Sequence, residues 1–326
     1  MNKLLLVVAL LLAGCMPREQ AFVAAPAATA KVEQSAFYTA DQTPLPQRVW
    51  LPESGKSKKP KAVIVAVHGF NDYSNAFETT GEFFSHHGIA VYAYDQRGFG
   101  HAPSRGIWAG EGNLNRDLKQ YVELLSKRYP SVPVYIFGES MGAAVVITAV
   151  SDPAFPKVKG IVLLAPAVWG GESMSPVYTC TLWVAAHTFP FTKMSGRNLK
   201  IVPSNNYPML RKLAHDPIII KKTRIDAIYG VVNLMGDAFE KVPDLRVPVL
   251  MMYGGKDQVI PPNPIKYALS RFSEPVTFVY YPEGFHMLLR DLQGELVMKD
   301  ILSWMGNSVR PVPSGLGKVI LPEPKQ

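Results

Sequence analysis

The stretch VYIFGESMGAAVV, residues 134–146, decides the fold. Its first four residues are apolar without a break, as in a strand covered on both faces. Its last four, Ala143 to Val146, open a helix of small residues. Between them stands Gly138-Glu139-Ser140-Met141-Gly142, a G-x-S-x-G turn. A serine at such a strand-to-helix turn projects its hydroxyl into the crevice above the sheet. Glycines two residues to either side let strand and helix approach without Cβ clashes. The helix N-terminus adds positive potential beneath a developing oxyanion.

Similar apolar runs lie at 62–67, 89–94, 160–164, 249–253 and 276–280. Amphipathic stretches separate them. Leu114, Leu118, Tyr121, Val122, Leu125 and Tyr129 share one helix face, and Pro130 ends that helix. This alternation predicts an α/β fold: a mostly parallel central sheet flanked by helices on both faces. Segments 36–40 and 47–51 fit antiparallel edge strands. From 167 to 241 the alternation stops, and no strand pattern appears. We read this stretch as a helical cap inserted between two sheet strands, over the crevice at their C-terminal ends.

Composition agrees with a large enzyme-like domain. The 326 residues are 48% hydrophobic and 18% charged, which excludes a disordered chain. The net charge of +8 comes with no basic run interleaved with aromatics, so nucleic acid is not expected as a partner.

The start of the chain has another purpose. Lys3 precedes ten apolar residues, 4–13, the layout of a secretory signal and too short for a permanent membrane span. Leu12-Ala13-Gly14-Cys15 resembles the lipobox of bacterial lipoproteins. That resemblance implies removal of residues 1–14 and lipidation of Cys15, which would fix the protein to a membrane. Met16, in place of Asp, points to the outer membrane of the bacterial envelope. Residues 15–34 then form a flexible tether, 35–306 the folded domain, and 307–326 a loosely held tail. With Cys15 lipidated, Cys180 has no disulfide partner. Its apolar neighbours mark it as a small buried hydrophobe.

A serine nucleophile needs a base, and the base needs an orienting acid. His286 follows the last strand, and Asp257 follows the strand before it. Both fall in loops at the same sheet edge as Ser140. Two donors must also face the oxyanion. The turn His68-Gly69-Phe70 after the first buried strand supplies the Phe70 N–H, and the helix start supplies that of Met141. His68 is expected to brace its loop. Asp95 and Arg97 are expected to hold the glycine-rich turn 95–101. No metal or organic cofactor is required.

The pieces HGF (68–70), DQRGFGHA (95–102), GESMG (138–142), YGGKDQVIP (253–261) and EGFHMLLRD (283–291) together resemble α/β-hydrolases of the monoacylglycerol lipase and lysophospholipase group. The likeness spans roughly 35–306. It implies the α/β-hydrolase fold, Ser140 as nucleophile, Asp257 as acid, His286 as base, and Phe70 and Met141 as oxyanion donors. It also implies a lid at 167–241 that admits an acyl chain, and a lipidic ester as substrate. Two other readings stand beside it. A serine aminopeptidase of this fold would need an acid in the cap, from Glu172, Asp216, Asp226, Asp237 or Glu240. A binding lipoprotein would use the scaffold without catalysis.

Overall fold

The computed structural model describes residues 16–23, 29–53, 59–170, 174–306 and 312–320. In chain order the strands are β1 (Lys31–Val32), β2 (Ala36–Tyr38), β3 (Pro44–Trp50), β4 (Ala62–Val67), β5 (Ile89–Tyr94), β6 (Val134–Glu139), β7 (Gly160–Leu164), β8 (Lys193–Met194), β9 (Thr223–Arg224), β10 (Val249–Gly254), β11 (Val276–Tyr281) and β12 (Lys318–Ile320). Ten of them form one sheet in the order β1-β2-β3-β5-β4-β6-β7-β10-β11-β12. The six strands from β5 to β11 in that order run parallel. The early strands β1 to β3 and the terminal β12 are antiparallel. All six apolar runs read from the sequence are sheet strands, and both expected edge segments pair as antiparallel strands.

The helices are α1 (Glu78–His86), α2 (Glu111–Arg128), α3 (Met141–Val150), α4 (Pro176–Thr188), α5 (Tyr207–His215), α6 (Ile225–Lys241), α7 (Pro262–Arg271) and α8 (Gly294–Gly306). Period-2 geometry sorts the strand residues between two cores. In β4, Val63, Val65 and Val67 face the core that α2, α3, α6 and α7 cover. Ile64 and Ala66 face the core under α1 and α8. Both faces of the parallel strands are therefore dry, which is why they read as unbroken apolar runs.

The insertion lies between β7 and β10, which pair directly. It differs from the expectation in three respects. First, it contains a two-stranded antiparallel ladder, β8 with β9. Strands of two residues are too short to leave an alternating signal. Second, its last helix, α6, packs along α3 and buries Leu234, Ala238 and Phe239, so it belongs to a core layer. Third, Cys180 is exposed, not buried. Helix α4 rests on α6 along one edge, with His187 against Tyr229, and Ala186 is its one buried residue among those described. Apolar neighbours in sequence do not bury a residue when most of the helix surface is turned outward.

The described parts of both ends make contacts with the folded body. In the tether, the Gln20 N–H donates to the Trp108 carbonyl, and the Arg18 N–H to Asp226 on α6. In the tail, β12 extends the sheet beside β11, and the Ser314 N–H donates to the buried Asp300 carboxylate. Side-chain niches far along the chain hold these segments, and composition does not reveal them. Residues 1–15, with the signal and Cys15, lie outside the described residues.

Candidate active site

Ser140 caps α3 with φ +55° and ψ −118°, a conformation that L-residues rarely adopt. The turn that holds it leaves no room for side chains at its flanks. A Cβ on Gly138 would meet the Ala143 Cα at 2.5 Å, and one on Gly142 would meet the Val67 carbonyl oxygen at 2.0 Å. Helix α3 thus lies tight against both β6 and the end of β4. The Ser140 N–H donates to the Leu164 carbonyl on β7, and its own carbonyl accepts from Ala167. The strained residue is therefore fixed by the end of β7 and the loop that follows it.

Asp257 and His286 meet across adjoining loops. The His286 Nδ1–H donates to Asp257 Oδ2 over 2.8 Å, and both residues are buried. Asp257 Oδ1 accepts from the N–H groups of Val259 and Ile260 at 2.7 and 2.9 Å. The carboxylate is thus aimed by backbone, and the imidazole by the carboxylate. With Nδ1 donating, Nε2 is the free acceptor a base needs. Glycine makes this meeting possible: a Cβ on Gly254 would lie 2.5 Å from the carbonyls of Gly284 and Phe285. Among the described residues Nε2 makes no hydrogen bond, and neither does Ser140 Oγ.

The turn after β4 abuts the serine. A Cβ built on Gly69 would lie 3.4 Å from Ser140 Cβ and 4.0 Å from its Oγ. Phe70 follows Gly69 in this turn, and Met141 follows Ser140 at the start of α3. Their N–H groups donate to no described acceptor, as oxyanion donors must. The Phe70 ring packs edge-on against Phe99 and Trp108. His68 braces this turn as expected. Its Nε2 accepts from the Gln96 N–H at 3.0 Å, and its Nδ1 donates to the Gly69 carbonyl at 2.8 Å. Burial lowers its pKa and keeps it neutral. Asp95 takes the N–H groups of Ser74 and His101, and Arg97 bridges Asp41 and Asp117, so turn 95–101 is held by charge as expected.

Three residues in these motifs have a role the sequence does not show. Arg290, four residues after the histidine, donates to Asp72 Oδ2 at 2.8 Å and to Glu139 Oε2 at 2.9 Å. Asp72 lies in the oxyanion turn and Glu139 precedes the nucleophile. One buried guanidinium thus joins the three loops that hold Ser140, Phe70 and His286. Burial alone would lower its pKa, but Glu139 and Asp72 raise it, so it stays charged. The cap is tied to the same loops. The Met287 N–H donates to the Pro203 carbonyl, the Ser204 hydroxyl to Asp291, and Asn206 Nδ2 to the Arg290 carbonyl. A groove of about 790 Å³ between α1, α5 and α8 is lined by Phe83, Met209 and Met298, among others. No residue of the Ser140–His286–Asp257 set lines it, so we do not assign it to the reacting centre.

A family profile described as "Serine aminopeptidase, S33" matches residues 58–293, most of the chain and every loop just described. The chain belongs to this α/β-hydrolase family. Within S33 it is similar to the monoacylglycerol lipase of Mycolicibacterium smegmatis, 25% identical over 267 residues, covering 79% of this chain and 91% of that protein. It is also 25% identical over 276 residues to the monoglyceride lipase of Mus musculus, covering 82% of this chain and 88% of the relative. The fold matches that of a soluble variant of monoglyceride lipase from Saccharomyces cerevisiae with a TM-score of 0.70 at 17% identity, covering 91% of this chain and 99% of the other.

The family description includes peptidases, so the acids of the cap region are informative. Asp226 is buried and paired with Arg224, and Glu240 pairs with Arg271. Asp216 accepts from the Tyr73 hydroxyl, and Asp237 is bonded to Glu111. Each of these S33-chain acids is engaged elsewhere. Glu172 lies outside the described residues.

Proposed function

We propose that this protein is a carboxylic ester hydrolase that cleaves lipidic esters, of the monoacylglycerol or lysophospholipid kind, through Ser140, His286 and Asp257. The backbone-aimed Asp257–His286 pair and the strained turn at Ser140 support this reading. The named activities of the lipase relatives support an ester as the bond cleaved. Ser140 Oγ attacks the ester carbonyl while His286 Nε2 takes its proton. Asp257 holds the tautomer and stabilises the imidazolium. The oxyanion accepts from the Phe70 and Met141 N–H groups. Collapse expels the alcohol, which takes the proton from His286. Water, deprotonated by the same nitrogen, then releases the fatty acid and restores Ser140. No step requires a cofactor.

The test is hydrolysis of p-nitrophenyl esters from acetate to palmitate, then of monoacylglycerols and lysophospholipids, with Ser140→Ala as control. Serine-dependent activity peaking at medium or long chains supports the reading. Activity on aminoacyl amides and none on esters would replace it with the peptidase, which the family description favours and the engaged cap acids oppose. Activity unchanged in Ser140→Ala would remove the triad. A protein inert towards esters and fluorophosphonates alike would be the binding lipoprotein.

The same reading includes the anchor. Cys15 carries lipid after removal of residues 1–14, and holds the enzyme on the bacterial outer membrane. The lipobox-like Leu12-Ala13-Gly14-Cys15 supports it. Palmitate labelling of the expressed protein, lost in Cys15→Ala, tests it; equal labelling of both chains would refute it.

A further inference from the structure

The positive charge of the chain is concentrated in one place. Residues 174–224 contain eight Lys and Arg and one acid, Asp216, so they hold seven of the eight net positive charges. Only Arg224 of these cations forms an ion pair among the described residues, with Asp226. The other seven are exposed and form no ion pair among the described residues, although Lys221 Nζ donates to the Asp216 carbonyl at 2.7 Å.

The same segment exposes apolar side chains that a free surface does not normally keep together. Phe189, Phe191, Met194, Leu199 and Ile201 are 67, 56, 56, 66 and 41% exposed. Exposed Lys193, Arg197 and Lys200 alternate with them, and no acid interrupts. The β8–β9 ladder sets Met194 beside Thr223 and Lys193 beside Arg224, which brings Lys221 and Lys222 to the same edge. The Arg224 guanidinium lies over the Phe191 ring, 4.6 Å from its centroid. Apolar and cationic groups therefore form one continuous surface.

The N-terminal strap ends at this surface. The Arg18 N–H donates to Asp226 Oδ2, and Asp226 accepts from Arg224, which covers Phe191. Glu19 and Gln20 sit against Gly110 and Gly98, where a side chain would collide with them. Residues 18–20 are thus seated, and the chain leaves the body on the cap side.

We propose that the cap surface formed by residues 189–201 and 221–222 docks on an anionic lipid surface. Exposed apolar groups enter the acyl boundary, and lysines and arginines pair with anionic headgroups. A second copy of the chain is opposed by like charge on both faces. Nucleic acid would meet the cations but leave Phe189 and Leu199 in water. Docking does not depend on Ser140 chemistry, so it stands or falls separately from the hydrolase reading.

The experiment uses the chain starting at Met16, which keeps every described contact, in Ser140→Ala form so that lipid is not consumed. Sedimentation with phosphatidylcholine vesicles is compared with vesicles containing phosphatidylglycerol. Binding should favour the anionic vesicles and weaken as salt rises. Lys221→Gln with Lys222→Gln should weaken it about fivefold per charge removed. Phe191→Ser with Leu199→Ser should weaken it as well, and should leave hydrolysis of a soluble short ester by the Ser140 form unchanged. Arg18→Pro, which deletes the strap's N–H, should leave binding of this unanchored chain intact. Equal binding to both vesicle types, binding to neither, binding to duplex DNA with none to vesicles, or a dimer lost with Lys221 and Lys222 would each overturn the proposal.

Discussion

Replacing Arg290 by Ala removes the cation that two buried carboxylates share. The Arg290, Asp72 and Glu139 side chains are 8, 9 and 5% exposed, so water cannot take its place. Glu139 Oε1 and Arg290 Nε already lack a hydrogen-bond partner among the described residues, so there is no slack to absorb the loss. Breaking a buried pair costs about 3–5 kcal/mol because it strands the remaining charge. At roughly 2–4 °C per kcal/mol, the melting temperature should fall by about 10 °C. Activity should fall for a separate reason. Arg290 joins the oxyanion turn, the serine turn and the histidine loop, and a displacement of about 1 Å at a reacting group costs about a hundredfold. Arg290→Lys restores the charge but not the fork, so it should recover stability more than kcat. Asp72→Asn, Glu139→Gln and Arg290→Met together should recover stability without rate. The assays are thermal unfolding across pH and soluble-ester kinetics well below every melting point. A melting temperature within two or three degrees of the parent, with kcat within about twofold, would refute the reasoning.

Three further outcomes follow from the same geometry. Ser140→Gly should abolish ester turnover and stabilise the fold by about 1 kcal/mol, because glycine accepts φ +55° without strain; unchanged or lower stability by denaturant titration would contradict this. Gly142→Ala should cost about 3 kcal/mol or more, since its Cβ would meet the Val67 carbonyl at 2.0 Å, and circular-dichroism melts measure it. Glu111 gives a pH signature: burial first, and then its bond to Asp237, raise its pKa from 4.5 to about 7. The folded state therefore holds this proton more tightly than the unfolded chain, and stability from this pair is lost as pH rises between those values. Glu111→Gln should flatten that part of the melting-temperature profile and raise stability at pH 8.

The serine turn and the Asp257–His286 pair were legible because each of these residues sits in a local pattern that also fixes its place in the sheet. Gly138 and Gly142 are required by contacts within a few residues or to the adjoining strand, and an apolar run names that strand. Asp257 and His286 follow runs of the same kind, so their meeting at one sheet edge needs only parallel order. Arg290 has no such signature. Its partners lie 218 and 151 residues away, and nothing in MLLRD distinguishes a clamp from a surface arginine.

The cap shows the limit of apolar patterning more sharply. In the sheet an apolar residue is buried because neighbouring strands and helices cover both faces. In residues 177–201 the same residue types stand in solvent, and Cys180 with them. Hydrophobicity in a sequence reports that a surface prefers to leave water. It does not report whether the chain itself, or something outside it, supplies the cover. What separates the two cases here is charge. The core helices α3 and α6 place few cations among their apolar residues, whereas 189–201 interleaves Lys193, Arg197 and Lys200 with its exposed aromatics and aliphatics. A segment meant for the protein interior would have to desolvate those cations without partners, at several kcal/mol each. A segment meant for a headgroup boundary leaves them hydrated or paired with anions. The pattern that misled the reading of Cys180 is thus the one that identifies the cap's outer face.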